Sequence, residues 1–181
     1  MLDPVPILAV ALAMALLFAA AAAAKLGDFP AFREILRGYR LLPDRCVGPA
    51  AGLVVLAECL IAAAWLVPPV RSLAAWCSAA LLLGYGAAMA ANLWRGRVDL
   101  DCGCSFGAAS RLSWSLVVRN VVLAVVTLIG TLPATARATG VADVAVAAGA
   151  GLVAVMLYLA VQQLLGNAAA FAAWRVTRRE V

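Results

Sequence analysis

Five runs of about twenty residues each, at 5–24, 47–67, 72–93, 114–132 and 144–165, are so continuously apolar that they exclude a water-soluble fold. A helix rises about 1.5 Å per residue, so each run matches the ~30 Å hydrocarbon core of a bilayer. In hydrocarbon the backbone must satisfy its own polar groups, which makes these runs helices. The expectation is an all-α membrane protein, a single integral membrane domain over residues 1–181 built as a bundle of about five transmembrane helices. The first run ends in alanines that imitate a leader-cleavage site. The segment before it holds Asp3 and no Lys or Arg, the opposite of a leader's basic start, so it reads as a retained helix.

The intervening segments are short and polar. Between Lys25 and Cys46, Phe29, Phe32, Ile35, Leu36 and Tyr39 recur at helical spacing against Arg33, Glu34, Arg37 and Arg40. That pattern predicts one interfacial amphipathic helix, stopped by Pro43. Pro68 and Pro69 make a hairpin between the second and third spans. A polar loop at 94–113 carries Arg95, Arg97, Asp99, Asp101, Cys102, Cys104 and Arg111, and Ser113 is placed to cap the fourth span. A basic tail, 166–181, ends the chain. Small residues on the third and fifth spans allow helices to approach closely in lipid.

The chemistry concentrates in Asp101-Cys102-Gly103-Cys104. Two thiols one residue apart close only a small ring, and Gly103 is the residue best able to take the backbone angles required. A disulfide under strain has a raised reduction potential and falls in the labile, catalytic class. Dithiol chemistry is therefore the leading reading, against inert loop cysteines, a soft-metal carrier binding Cu(I) or Hg(II) through two thiolates, or a non-catalytic docking subunit. Cys46, at the start of the second span on the same side, is a candidate third, resolving thiol. Cys59 and Cys77 lie within spans and read as buried packing residues.

The chain has no histidine, which excludes histidine-ligated haem, histidine-containing zinc sites and imidazole base catalysis. Its formal charge of +5 has no aromatic-interleaved basic stripe, so it points to topology and lipid headgroups and not to nucleic acid. Five spans put the termini on opposite sides. Eleven basic residues (Lys25, Arg33, Arg37, Arg40, Arg45, Arg95, Arg97, Arg111, Arg175, Arg178, Arg179) then share one side, and Arg71 and Arg137 hold the other. The positive-inside rule makes the first side cytoplasmic, and with it the Cys-x-Cys loop.

Glu58 and Arg119 are charged groups at membrane depth, each costing at least ~2.5–3.5 kcal/mol on insertion scales, so each needs a partner or a cavity. They are expected to contact one another or to share one polar cavity. Beyond a structural pair, Glu58 is placed to handle protons for the thiols.

Several of these residues, in order, resemble the MauE family within the wider MauE/DoxX group of redox-associated membrane proteins. The resemblance rests on Lys25-Leu26, Tyr39-Arg40-Leu41-Leu42-Pro43, Glu58, Asn92-Leu93-Trp94-Arg95-Gly96-Arg97, Asp101-Cys102-Gly103-Cys104 and Arg119-Asn120. The family loop reads Cys-Gly-Cys-Phe-Gly, and here Ser105 is inserted before Phe106-Gly107. The resemblance implies a multi-pass protein of the bacterial inner membrane that supports maturation of the periplasmic methylamine dehydrogenase small subunit, which carries several disulfides. It implies a thioredoxin-like, MauD-like partner, with Cys102 and Cys104 as the reacting thiols. Lys25, Glu58, Asn92, Arg97, Asp101, Gly103, Arg119 and Asn120 would support them. By analogy with DsbB and the vitamin K epoxide reductases a quinone is the one cofactor to consider. The analogy with CcdA, which carries reducing equivalents outward, fits cytoplasmic thiols instead.

Overall fold

The computed structural model describes residues 2–98, 100, 112–135 and 137–177, with side chains described as far as Leu164. Six helices follow one another: α1 (Pro4–Gly27), α2 (Phe29–Gly38), α3 (Asp44–Trp65), α4 (Arg71–Trp94), α5 (Trp114–Thr127) and α6 (Val141–Thr177). Short 3-10 turns, Pro68–Val70 and Leu128–Thr131, precede α4 and extend α5. Five of the helices are long and apolar enough to cross a bilayer, so the chain is a multi-pass helical membrane protein.

Boundaries shift from the sequence expectation for local reasons. Asp3 caps α1 by accepting a hydrogen bond from the Val5 N–H, and nothing breaks the helix before Gly27, so Lys25 becomes part of it. Asp28 caps α2 through the Ala31 N–H. The amphipathic helix ends at Gly38 rather than at Pro43, because Arg40 turns the chain with φ 49° and Pro43 becomes the residue that starts α3. That places Cys46 inside the first turn of α3. Ser113 stands at the start of α5 but makes no capping bond; its hydroxyl meets that of Ser115 at 2.8 Å. The last helix continues without a break to Thr177, so the expected basic tail is helical over most of its length.

α1 lies centrally, packed against α3 on one side and α6 on another, while α4 pairs with α5 and leans on α3. The largest core cluster joins Met14 and Phe18 of α1, Ile61 and Trp65 of α3, Leu82 of α4 and Ala124 of α5. Trp65 is wholly enclosed and donates its indole N–H to Ser78 at 2.9 Å, which in turn donates to the Ala74 carbonyl. A Cβ on Gly130 would lie 2.6 Å from the Trp65 ring, so only glycine lets the end of α5 close over that indole. Gly151 does the same for α6, where a Cβ would sit 3.0 Å from the Ala9 carbonyl of α1.

At the end holding the N-terminus, Leu2 pairs with Pro133 and Thr135 through backbone hydrogen bonds. Arg137 bridges Asp3 and Asp143 beside it. Cys59 and Cys77, expected to be packing residues, are exposed on the outer faces of α3 and α4, where the surroundings are lipid. Helices of this kind bury only part of their circumference, and an apolar thiol is as much at home against acyl chains as in a core.

Candidate functional site

Lys25 falls in the last turn of α1 and Glu58 near the middle of α3, and the crossing of those helices brings them together. Lys25 Nζ donates to Glu58 Oε1 at 2.7 Å, and the Tyr85 hydroxyl of α4 donates to the same oxygen at 2.7 Å. The side chains of the pair are 5% and 1% exposed. The rings of Phe32 and Tyr85 lie 5.4 and 5.7 Å from Nζ, so aromatic faces take the place of the ammonium's water.

Because Lys25 meets α3 at Glu58, well along that helix, the helix that follows Lys25 lies beside the first half of α3. There Phe32 packs on Ala51 and Val55, and the Arg33 guanidinium runs past Gly48.

The expected direct contact between Glu58 and Arg119 is not made. Lys25, counted from sequence as a loop charge, is nearer in register and takes the carboxylate. That leaves ten loop or tail basic residues against two. The shared cavity is present: Glu58, Arg119, Lys25 and Tyr85 all line one chamber of about 50 Å³ between α1, α3, α4, α5 and α6. The Arg119 guanidinium lies 5.8 Å over the ring of Tyr158 on α6. Among the described residues its buried Nε and Nη1 have no hydrogen-bond partner, and neither has Glu58 Oε2. Asn120, next along α5, is buried at the α4 crossing opposite Gly86 and spends its amide on the Leu116 carbonyl.

A second cluster stands at the base of the Cys-x-Cys loop. Arg97 Nη2 donates to the Gly38 carbonyl at 2.8 Å, while its Nη1 donates to the Tyr39 carbonyl and to Asn92 Oδ1 at 3.3 and 3.1 Å. Asn92, wholly buried, is itself fixed by donating to the Ala88 carbonyl. One guanidinium thus closes the C-terminal end of α2 and ties it to the end of α4, where the carbonyls lack helical partners. Just beyond, the Leu112 N–H donates to the Leu100 carbonyl at 3.0 Å. Leu100 and Leu112 pack with Tyr39, Met89 and Leu116. The two stems of the loop are therefore pinned to each other and to the same end of the bundle as Cys46. Asp101, Cys102, Gly103 and Cys104 lie outside the described residues. Among the described residues no group of three or more metal-ligating side chains forms.

Sequence reasoning singled out Lys25, Glu58, Asn92, Arg97, Arg119 and Asn120, and the structure gathers them into these two clusters. It missed Tyr85 and Tyr158. Their one available signal was a phenol inside an otherwise apolar run, which must find a polar partner when buried.

This architecture defines a class: a multi-pass helical membrane protein with an enclosed ion pair, an intramembrane arginine and a thiol-bearing loop tied across one end. Within that class the chain belongs to the MauE family, since the family profile described as "Methylamine utilisation protein MauE" matches residues 4–133. The chain is 38% identical over 173 residues to the methylamine utilization protein MauE of Paracoccus denitrificans, covering 94% of this chain and 92% of that one. It is 40% identical to the protein of the same name from Paracoccus versutus, covering 84% and 83% of the two chains. To that of Methylophilus methylotrophus it is 33% identical, covering 91% and 88%. No solved structure matches the chain.

Proposed function

We propose that this protein serves methylamine utilisation as a membrane thiol–disulfide relay, with Cys102 and Cys104 as its reacting pair. The observation that carries the reading is the pinning of the loop stems. The Leu100–Leu112 hydrogen bond and the Arg97 clamp hold the two flanks of residues 101–111 together at one end of the bundle, and both cysteines of the Cys-x-Cys sequence fall between those flanks in the sequence. A loop tied at both ends presents its thiols to a docking partner at lower conformational cost than a free one.

In the relay, one thiolate of the pair attacks a disulfide of a thioredoxin-like partner and forms a mixed disulfide, releasing one partner thiolate. The second cysteine, or Cys46 at the same end, then attacks the mixed bond. The relay ends as a disulfide and the partner as a dithiol, with two electrons passed between them. A thiol donor on the loop side restores the dithiol. With ten basic residues on that side against two, the loop and its exchange partner are cytoplasmic, the protein lies in the bacterial cell membrane, and delivery of the electrons outward takes a further dithiol carrier across the bilayer. The downstream beneficiary is the disulfide-bearing small subunit of methylamine dehydrogenase. A quinone would enter only if the flow ran the other way.

The test is trapping. Cys102→Ser and Cys104→Ser should each be expressed with the full chain, and covalent adducts captured by acid quench. One variant is expected to accumulate a mixed disulfide with a thioredoxin-like protein, and the other much less, because only one sulfur attacks. If neither variant traps a partner and the dehydrogenase small subunit is still correctly oxidised, the loop is a docking element and the relay reading fails.

A further inference from the structure

The thiol relay leaves one part of the interior without a task. Arg119 Nε and Nη1 and Glu58 Oε2 are enclosed and have no hydrogen-bond partner among the described residues, and both residues line a common chamber. Enclosed polar atoms are costly unless something meets them. Charge is also out of balance. Lys25 and Glu58 cancel, and a guanidinium does not give up its proton, so the groups lining the chamber carry one excess positive charge.

The chamber does not end at Arg119. It continues into an apolar slot of about 170 Å³ between α1, α5 and α6, and the two share Met14, Leu17, Leu123 and Tyr158. The rest of the slot is lined by alanine, glycine and valine, with no titratable group. Apolar cavities of this order stay dry and accept hydrocarbon. α6 makes its principal contact with α1, so the slot lies along the seam between α5 and α6, beside the lipid. A polar chamber with a positive balance thus opens into a narrow hydrocarbon slot.

We propose that chamber and slot together form a binding site for a membrane amphiphile of the fatty-acid class, with one carboxyl head and a linear hydrocarbon tail. A carboxylate is the smallest head that offers acceptors to Arg119. Its negative charge offsets the guanidinium. A quinone presents acceptors but brings no charge to offset the guanidinium, and the glycerol-linked head of a phospholipid is too large for a chamber of about 50 Å³. The site stands independently of the relay, since none of its residues belongs to the thiol loop.

The full chain, purified from membranes in a non-ionic detergent, should yield about one long-chain carboxylic acid per protein on solvent extraction and mass spectrometry. A doxyl-stearate spin label should be immobilised, and its methyl ester should bind about tenfold more weakly or worse, the scale of a lost charge-assisted hydrogen bond. Arg119→Gln should weaken the acid by a similar factor and leave the ester unchanged, and Arg119→Lys should restore part of the difference. Ala154→Leu, which narrows the slot on the side away from the charges, should weaken acid and ester alike. Equal binding of acid and ester to the wild-type protein would overturn the assignment even if the arginine variants fail to fold. So would a stoichiometric quinone or phospholipid in the extract, or the absence of any bound amphiphile together with a freely tumbling label.

Discussion

Lys25 and Glu58, 33 residues apart in sequence, meet at 2.7 Å with hardly any exposed surface on either side chain. The pair ties the end of α1 to the middle of α3, and Tyr85 adds α4 to the same carboxylate oxygen. Breaking one side of such a pair leaves a buried charge alone. Removing both sides costs far less.

Lys25→Met and Glu58→Leu should each lower stability by about 3–5 kcal/mol, while the double variant should recover most of that loss. Thermal unfolding of the purified protein in detergent measures all three. A double variant no better than the worse single one would show that the contact does not carry the coupling between the helices.

Arg97 has a different character, since it serves backbone carbonyls of α2 and an amide of α4 at the base of the loop. Arg97→Ala should release the loop stems, so that maleimide reacts faster with Cys102 and Cys104 while the rate at Cys46 changes little. Arg97→Lys should behave nearly like the alanine variant, because one ammonium does not reproduce three contacts made by a planar fork. Unchanged labelling rates in both variants would remove Arg97 from any role in holding the loop.

The spans were legible because their signal is length and apolarity, which survive any detail of packing. The amphipathic helix was legible for a similar reason, in the alternation of Phe32 and Leu36 with Arg33 and Arg37. Partnership inside the bilayer was not. Lys25 looked like a flanking loop charge because its partner is set by the crossing of α1 over α3, a tertiary fact with no period in the sequence. Cys59 and Cys77 misled in the opposite direction. In a soluble protein a mid-helix cysteine is usually inside, whereas a helix in lipid has no aqueous side to avoid.

Gly130 was invisible for the same reason as Lys25, since nothing local marks it as the residue that faces the Trp65 indole. Gly130→Ala should cost about 1–3 kcal/mol by overpacking, visible as a lower melting temperature. Combining it with Trp65→Leu should recover part of the loss. No recovery would mean that the strain falls elsewhere, for example on Ala75.

At the opposite end of the bundle, Asp3 accepts from Arg137 and from the Val5 N–H, and these bonds hold its carboxyl below the usual aspartate range. A lowered folded-state pKa gives stabilisation that is complete above the ordinary aspartate value and is lost as pH falls through the lowered one. The protection factors of the Leu2 and Thr135 amides, taken against each amide's intrinsic exchange rate at the same pH, should therefore be flat near neutrality and fall only below about pH 4. Asp3→Asn should exchange faster at neutral pH and lose that acid step. A step of equal size in the variant would assign it to another carboxylate.

Sidedness decides what the loop is able to exchange with, and two described positions report it directly. Cys46 stands in the first turn of α3 at the loop end, and Thr139 is exposed in the segment before α6 at the other. With ten basic residues against two, and cytoplasmic flanks retaining Lys and Arg, the Cys46 end is predicted to face the cytoplasm. In a Thr139→Cys variant of intact spheroplasts, a membrane-impermeant maleimide should label residue 139 at once. It should reach Cys46 only after permeabilisation. The reverse pattern would put the dithiol loop on the periplasmic side, where its natural electron acceptor would be a membrane quinone and electron flow through the relay would be inward.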